Sequence, residues 1–338
     1  MPGAMMGRPN LAEHSRCLVT GASGFIGSHL AATLAAAGHE VACLVRSGSR
    51  RDFLSTLPVR LVEGDCRDRR SLQAAVTGVD YIFHLAGVIS APDRQTYFDI
   101  NSTGTKNLVE ACLAWNPALK RLVHVSSIAA TGPSPRGVTL TESDECRPVS
   151  DYGRSKLEAE LEVRAAGKRL PWVIIRSSNV IGPRQKELEE SIRLLRWHIK
   201  PLIGRKDSRT SVIGIWDLVR MLIQAAADDR AIGRTYFITD GKPVSWRRIT
   251  DKVARGAGIR GFLPLPFPAL YIAAAMAEQI ARWRKQAPPL TREQLISARN
   301  YDWVYASEAI ARELDMIPEM DLDEVVKQTF AARRAEDN

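Results

Sequence analysis

Two periods of apolar residues alternate along the first 176 positions. Residues 15–20 (Ser-Arg-Cys-Leu-Val-Thr) form a short apolar and β-branched run, the pattern of a buried strand. Gly21 follows at once. From Phe25 to Ala37 the spacing becomes helical, with Phe25, Ile26, His29, Leu30, Thr33 and Leu34 recurring on one side and Gly38 placed to stop the helix. Residues 39–46 read as a second strand, and a third ends in Val62-Glu63-Gly64-Asp65. A fourth runs over 81–87 and a fifth over 121–127. Ser150 or Asp151 can cap a helix beginning near Tyr152, and 171–176 makes a sixth strand. Strands alternating with helices predict an α/β protein with a parallel, doubly wound sheet.

The second half is less legible. Residues 211–219 read as a strand feeding a helix, with Asp217 as its N-terminal cap, and 236–246 as a strand, a turn and a helix entry at Trp246. Residues 262–285 form an apolar segment broken at its start by Pro264, Pro266 and Pro268 and closed by Arg282, Arg284 and Lys285. Its helical part, about 269–285, is too short and too polar at its end to span a bilayer. Three roles fit it: a core-facing helix with a basic end complementing its dipole, an apolar substrate entrance, or a helix lying on a membrane surface.

Composition narrows the class without naming a function. The 338 residues are 45% hydrophobic, enough for a large α/β body with a smaller lobe. A net charge of +9 admits nucleic acid, an anionic membrane surface or anionic small molecules as partners. The basic residues are scattered: Arg50-Arg51, Arg67 with Arg69-Arg70, Lys200 to Arg209, Arg247-Arg248 and Arg282 to Lys285. No nucleic-acid module accompanies them, so nucleic acid is not expected as a partner. The five cysteines show no metal spacing and fit reduced thiols in a cytoplasmic protein. Residues 1–14 lack the apolar stretch of a signal peptide and read as a loose tail.

Two motifs carry the chemistry. Thr20-Gly21-Ala22-Ser23-Gly24-Phe25-Ile26-Gly27 places three glycines at a strand-to-helix turn. Gly21 suits the tight turn, Gly24 bares the backbone toward a pyrophosphate, and Gly27 lets the helix pack close. Free N–H groups at the helix start would meet the phosphates. Tyr152-Gly153-Arg154-Ser155-Lys156 sets a phenol and an ammonium four residues apart on one helix face. A free tyrosine titrates near ~10 and must be drawn down to exchange protons near neutrality, which a neighbouring ammonium can do.

In this order, about 130 residues apart, the two motifs resemble the extended short-chain dehydrogenase/reductase family, with a pattern closest to 3β-hydroxysteroid dehydrogenase and dihydroflavonol reductase-like members. The resemblance spans about residues 16–330. It is specific in the first half and looser in the second, where Pro289-Leu290-Thr291-Arg292, Asp302-Trp303 and 309–318 carry it. It implies a Rossmann-type domain over 15–176, to which later segments return, a mainly substrate-binding lobe with mixed structure over 177–330, and a tail over 331–338. It also implies a hydride-transfer enzyme in which Tyr152 exchanges the proton, Lys156 supports it and touches the nicotinamide ribose, and Ser127 holds the substrate oxygen. Asn101 matches the family's active-site asparagine, or equally a cap or turn residue. Cofactor contacts fall on Gly21, Ser23, Gly24, Phe25, Ile26, Gly27, Asp65, Cys66, Leu85, Ala86, Gly87, Asn179 and Val180. Asp65 would reach the adenine amino group. Ser177 stands where the family often has proline, a mild departure. At the end of the second strand an acidic residue would select NAD; here Arg46 suits a 2′-phosphate and favours NADP over NAD.

Several enzymes share such a scaffold. A dehydrogenase or reductase of a lipophilic secondary alcohol or ketone, steroid-like or flavonoid-like, is the first expectation, and a nucleotide-sugar epimerase the second. The epimerase's diphosphate-binding arginine is expected where Thr210 stands, although Arg209 is adjacent. A sugar dehydratase needs an acid pair where this chain has Ile128, Ala129 and Ala130. A catalytically silent cofactor-sensing or scaffold protein would have shed Tyr152 or Lys156. A small-molecule substrate, a homodimer, and contact of 262–285 with the inner face of a membrane complete the expected partners. His84 reads as a packed strand histidine rather than a ligand.

Overall fold

The structure is a computed structural model that describes residues 10–201, 205, 208–284, 288 and 291–336. Most of the expected N-terminal tail, together with Lys206, Asp207, Lys285, Pro289, Leu290 and residues 337–338, lies outside the described residues.

The strands are β1 (Arg16–Thr20), β2 (Glu40–Val45), β3 (Arg60–Glu63), β4 (Tyr81–His84), β5 (Arg121–Ser127) and β6 (Trp172–Ser177). They continue as β7 (Asn179–Ile181), β8 (Ile199–Pro201), β9 (Arg209–Thr210), β10 (Val212–Gly214), β11 (Arg234–Ile238), β12 (Val244–Ser245) and β13 (Leu263–Leu265). The helices are α1 (Phe25–Ala36), α2 (Gln73–Val76), α3 (Arg94–Phe98), α4 (Gly104–Trp115), α5 (Ile128–Thr131), α6 (Asp151–Ala165) and α7 (Lys186–Arg196). Then come α8 (Ile215–Ala227), α9 (Trp246–Gly256), α10 (Phe267–Trp283), α11 (Arg292–Asn300), α12 (Glu308–Leu314) and α13 (Leu322–Glu336).

Seven parallel strands make the main sheet in the order β11-β6-β5-β4-β1-β2-β3. Strand order reverses between β1 and β4, which opens a crevice at the carboxyl ends of the strands. One face is covered by an apolar core drawn from α1, α8 and α12, the other by a core from α2, α4 and α6. The sheet is therefore Rossmann-type and doubly wound, as the strand and helix periods predict. Strands buried on both faces read as near-continuous apolar runs, which is why Val173, Ile174 and Ile175 are all fully buried.

The lobe has its own core, built from α7, α9 and α13 around Leu195, Val253 and Val325. The chain does not leave the sheet at 176. β11 and α8 return to it, with Tyr236↔Ile175 in register at the sheet edge. Residues 302–305 bridge back to Ser134, Leu140 and Thr210.

Three local expectations change. Asp217 does not cap α8: Gly214 is the cap residue, and the buried Asp217 carboxylate pairs with Arg220 and accepts from the backbone N–H of Glu319 and Met320. Residues 331–336, expected as a tail, continue α13 and pair Arg333 with Glu189 of α7. Leu11, within the expected N-terminal tail, is 6% exposed and belongs to the α1-side core.

Candidate active site

The glycine turn is shaped by close approach of backbones. Gly21 has φ +69°, a left-handed conformation that side chains disfavour, and a Cβ there would lie 2.7 Å from the Ala86 nitrogen. Its bareness lets the ends of β1 and β4 meet. A Cβ at Gly27 would lie 2.9 Å from the Ala22 Cα, so glycine seats α1 directly on the turn. Around Gly24 the space is open apart from the Gly21 carbonyl oxygen at 3.2 Å. No side chain caps α1 and no acidic residue occupies its first turn. Its N-terminal N–H groups and dipole therefore suit an anion from outside, and the bare turn leaves room for a pyrophosphate. Ser23 and Gly24 are exposed here, with Phe25 and Ile26 half-buried beside them.

Beside the turn, Arg46 is exposed just past β2, the strand paired with β1. Among the described residues it forms no ion pair, whereas Arg50 pairs with Asp52 at 3.3 Å and Arg51 with Glu63 at 3.7 Å. Asp65 is already gripped by Arg67, which donates to it at 2.7 Å and holds its carboxyl below the usual range. A contact from Asp65 to an adenine would be shared with that guanidinium. Burial pushes the Cys66 thiol up to about 12, which keeps it protonated, and its carbonyl accepts from Asn107 Nδ2 at 2.9 Å. Leu85 and Ala86 are half-buried at the end of β4 and Gly87 is exposed. A Cβ at Gly87 would lie 2.9 Å from the Asn101 side-chain oxygen.

Ser127 closes β5. Its Oγ accepts from the Ala129 N–H at 3.1 Å, capping α5, and its side chain lies near enough to the Tyr152 phenol to act on it. Ser150 caps α6 by accepting from the Gly153 N–H at 2.9 Å, which fixes Tyr152 in the first turn. Lys156 lies one turn on, 5% exposed, donating to the Val125 carbonyl at 2.9 Å. Burial lowers its ammonium to about 8. Burial also raises the Tyr152 phenol above its ordinary value, with the Ser127 side chain acting in opposition. The Lys156 ammonium is thus held by the Val125 carbonyl, and the phenol is acted on chiefly by its burial and by the Ser127 side chain.

Asn101 sits in a π turn (Asp99–Thr103) and is fully buried. Its Nδ2 donates to the Val88 carbonyl at 3.0 Å and to Ser155 Oγ at 2.9 Å, and its Oδ1 accepts from the Val88 N–H at 2.8 Å. It joins the loop after β4 to the helix carrying Tyr152 and Lys156; it is not a helix cap. His84 is packed, its ring nitrogens engaged by Thr20 at 2.7 Å and Thr105 at 2.9 Å.

A buried carboxylate behind the site was not visible in the sequence. Glu160, four residues beyond Lys156, is fully buried. It accepts from Ser126 Oγ at 2.6 Å, from Arg176 Nη2 at 2.7 Å and from Arg164 at 3.2 Å. The available signal was Arg176 ending an apolar strand, since a buried guanidinium needs a buried carboxylate.

Beyond β6, Asn179 donates to Thr210 Oγ1 at 2.6 Å, and Val180 packs into the α1-side core with β7 paired to β10. Ser127↔Ser177 is a register pair, so the segment leading to Asn179 leaves the sheet beside the catalytic candidates. Ser90 Oγ donates to the Pro288 carbonyl at 2.8 Å, and Glu293 of α11 lies within the field of Asp151 and Arg154 on α6. The lobe therefore reaches across to the helix that carries Tyr152. Among the described residues no group of acidic, histidine or cysteine side chains could hold a metal ion.

Comparison with known proteins agrees with this geometry. The model of the NAD dependent epimerase/dehydratase family matches residues 17–238. A 3 beta-hydroxysteroid dehydrogenase/Delta 5-->4-isomerase of Mycobacterium tuberculosis is 33% identical over 272 residues, covering 73% of this chain and 71% of that protein. A 2-alkyl-3-oxoalkanoate reductase of Stenotrophomonas maltophilia is 29% identical, covering 95% of this chain and 100% of its own. The crystal structure of a dTDP-glucose 4,6-dehydratase from Streptomyces venezuelae, with NAD bound, has a TM-score of 0.78 at 25% identity and covers 95% of this chain and 97% of that one. The chain is an enzyme and belongs to the NAD-dependent epimerase/dehydratase family, as an oxidoreductase built on that family's Rossmann-type sheet.

Proposed function

We propose that the enzyme transfers a hydride between a nicotinamide cofactor, NADP in preference to NAD, and a secondary alcohol or ketone on a lipophilic skeleton. The observation that carries this reading is the meeting of Ser127, Tyr152 and Lys156 at the carboxyl end of the sheet, beside a bare glycine turn suited to a dinucleotide. The nicotinamide, when bound, supplies or accepts the hydride. Tyr152 moves the proton at the substrate oxygen, and Ser127 holds that oxygen beside the phenol. Lys156 supplies positive charge beneath the site, and Asn101 positions its helix through Ser155. Next to Ser127 stand Ile128, Ala129 and Ala130, which provide no acid for a dehydration. The relatives named for a steroid and for an alkyl oxoalkanoate support a lipophilic substrate. Thr210, where an epimerase's diphosphate-binding arginine is expected, is buried and bonded to Asn179.

Two measurements test this. Denaturing freshly purified protein should release little nucleotide or readily exchanged NADP; stoichiometric, tightly held NAD would instead support an epimerase. Tyr152→Phe should lower turnover of lipophilic ketones by about a thousandfold or more, within the range of general acid–base catalysis with hydrogen-bond loss, while leaving cofactor affinity within about threefold. Persistent turnover would remove Tyr152 from the mechanism.

A further inference from the structure

Helix α10 has two apolar sides. Leu270 and Ala274 are buried against Leu295 of α11. On the opposite side Ile272, Met276, Ile280 and Trp283 are 60%, 61%, 50% and 84% exposed. Spacings of four, four and three residues place them on one helical face, and Pro268, Ala273 and Gln279 are the exposed residues among them. From 268 to 281 this outward face carries no charged residue. A helix that is apolar all round is normally buried or in contact with lipid. The patch widens at its start, because β13 pairs with β8 and brings Leu263, 74% exposed, near Trp197, 69% exposed.

The surrounding charge is mainly basic, with Lys200 and Lys252 paired to Asp251 and Asp323. Residues 252–292 hold seven Lys and Arg against one acidic residue, Glu278, and Arg292 engages that carboxylate at 2.8 Å. Residues 191–209 hold six Lys and Arg against one acid. Arg193, Arg196, Arg260 and Arg284 are exposed. Tryptophan beside an aliphatic stripe, flanked by arginines, matches the chemistry of a bilayer interface with anionic headgroups. A second copy of the chain fits less well, since a two-fold contact through this face would set the same basic segments against each other. Among the described residues no helix is long and apolar enough to cross a membrane, so the contact is superficial.

We propose that the outward face of α10, with Trp197 and Leu263, docks the enzyme on an anionic lipid bilayer. The docked helix packs on α11, whose Glu293 lies close to Asp151 at the start of α6, the helix that carries Tyr152. The proposal stands on surface chemistry and does not depend on which substrate is turned over.

The test is flotation of the full chain with vesicles of phosphatidylglycerol and phosphatidylcholine, beside vesicles of phosphatidylcholine alone. The wild-type protein should float with the anionic vesicles, less so as salt rises. Met276→Glu with Ile280→Glu should reduce that binding by about tenfold or more with an unchanged melting temperature, because both side chains are exposed. Absence of wild-type binding, equal binding by the variant, or a wild-type dimer that the variant splits without any vesicle binding would each overturn the proposal.

Discussion

Arg46 follows β2 and Lys156 is tied to β5, on either side of the β1–β4 reversal, and each is set by its immediate surroundings. Arg50 and Arg51 are committed to Asp52 and Glu63, which leaves Arg46 as the exposed guanidinium at the end of β2 with no ion pair among the described residues. A charge-assisted contact to a 2′-phosphate is worth about 1.5–3 kcal/mol. Arg46→Glu should therefore weaken NADP by about ten- to a hundredfold and leave NAD equal or better, read from the dissociation constants of both. An unchanged ratio would take Arg46 out of cofactor selection. Lys156, lowered by burial to about 8, is an ammonium below that pH and neutral above it. If its charge supports Tyr152, kcat/KM should fall on the alkaline side with a midpoint near pH 8; a profile flat to pH 10 would separate Lys156 from the proton chemistry. The glycine turn and the Tyr152–Lys156 pair were legible because their geometry is local: a tight turn and one helical period fix them. The state of the phenol was not legible. It depends on burial of the phenol among residues distant in the chain and on the Ser127 side chain at the end of β5.

Helix α6 is locked to the sheet by Glu160, which joins Ser126 on β5, Arg176 on β6 and Arg164 on its own next turn. Burial alone would raise this carboxyl, but the hydrogen bonds and charge of Arg176, with Ser126 and Arg164, outweigh it and hold Glu160 below its ordinary value. Its contribution to stability is therefore present at neutral pH and lost as pH falls through the carboxylate range. Glu160→Gln leaves the Arg176 guanidinium, 2% exposed, without its counter-charge, a loss of about 3–5 kcal/mol. Urea unfolding at pH 7 should show that deficit, and it should narrow at pH 4. Equal midpoints at pH 7 would mean that this lock holds nothing. The helical period indicates where α6 begins and which side faces inward, but not which of its many charged residues is paired inside. Asp217 shows the same limit. Read locally it is a cap, yet the backbone at 319 and 320, about a hundred positions away, claims its carboxylate.

At the scale of the molecule, alternation of strands and helices revealed the doubly wound sheet, and later segments were expected to return to it, while the identity of those segments, β11 and α8, stayed hidden. β11 is short, and its partner β6 is chosen by the sheet as a whole. The bridges from 302–305 to Ser134, Leu140 and Thr210 join residues with no common sequence pattern. The late arrival of β11 bears on how the protein is made. Until residue 238 has emerged from the ribosome, the Val173-Ile174-Ile175 stretch of β6 presents an open, strongly apolar edge, the kind of strand that pairs with stray chains. The nascent polypeptide must pass through the first part of its lobe before the sheet beneath it is sealed. Exchanging the lobe between relatives therefore calls for cuts on both sides of β11, so that the sealing strand stays with the sheet it closes.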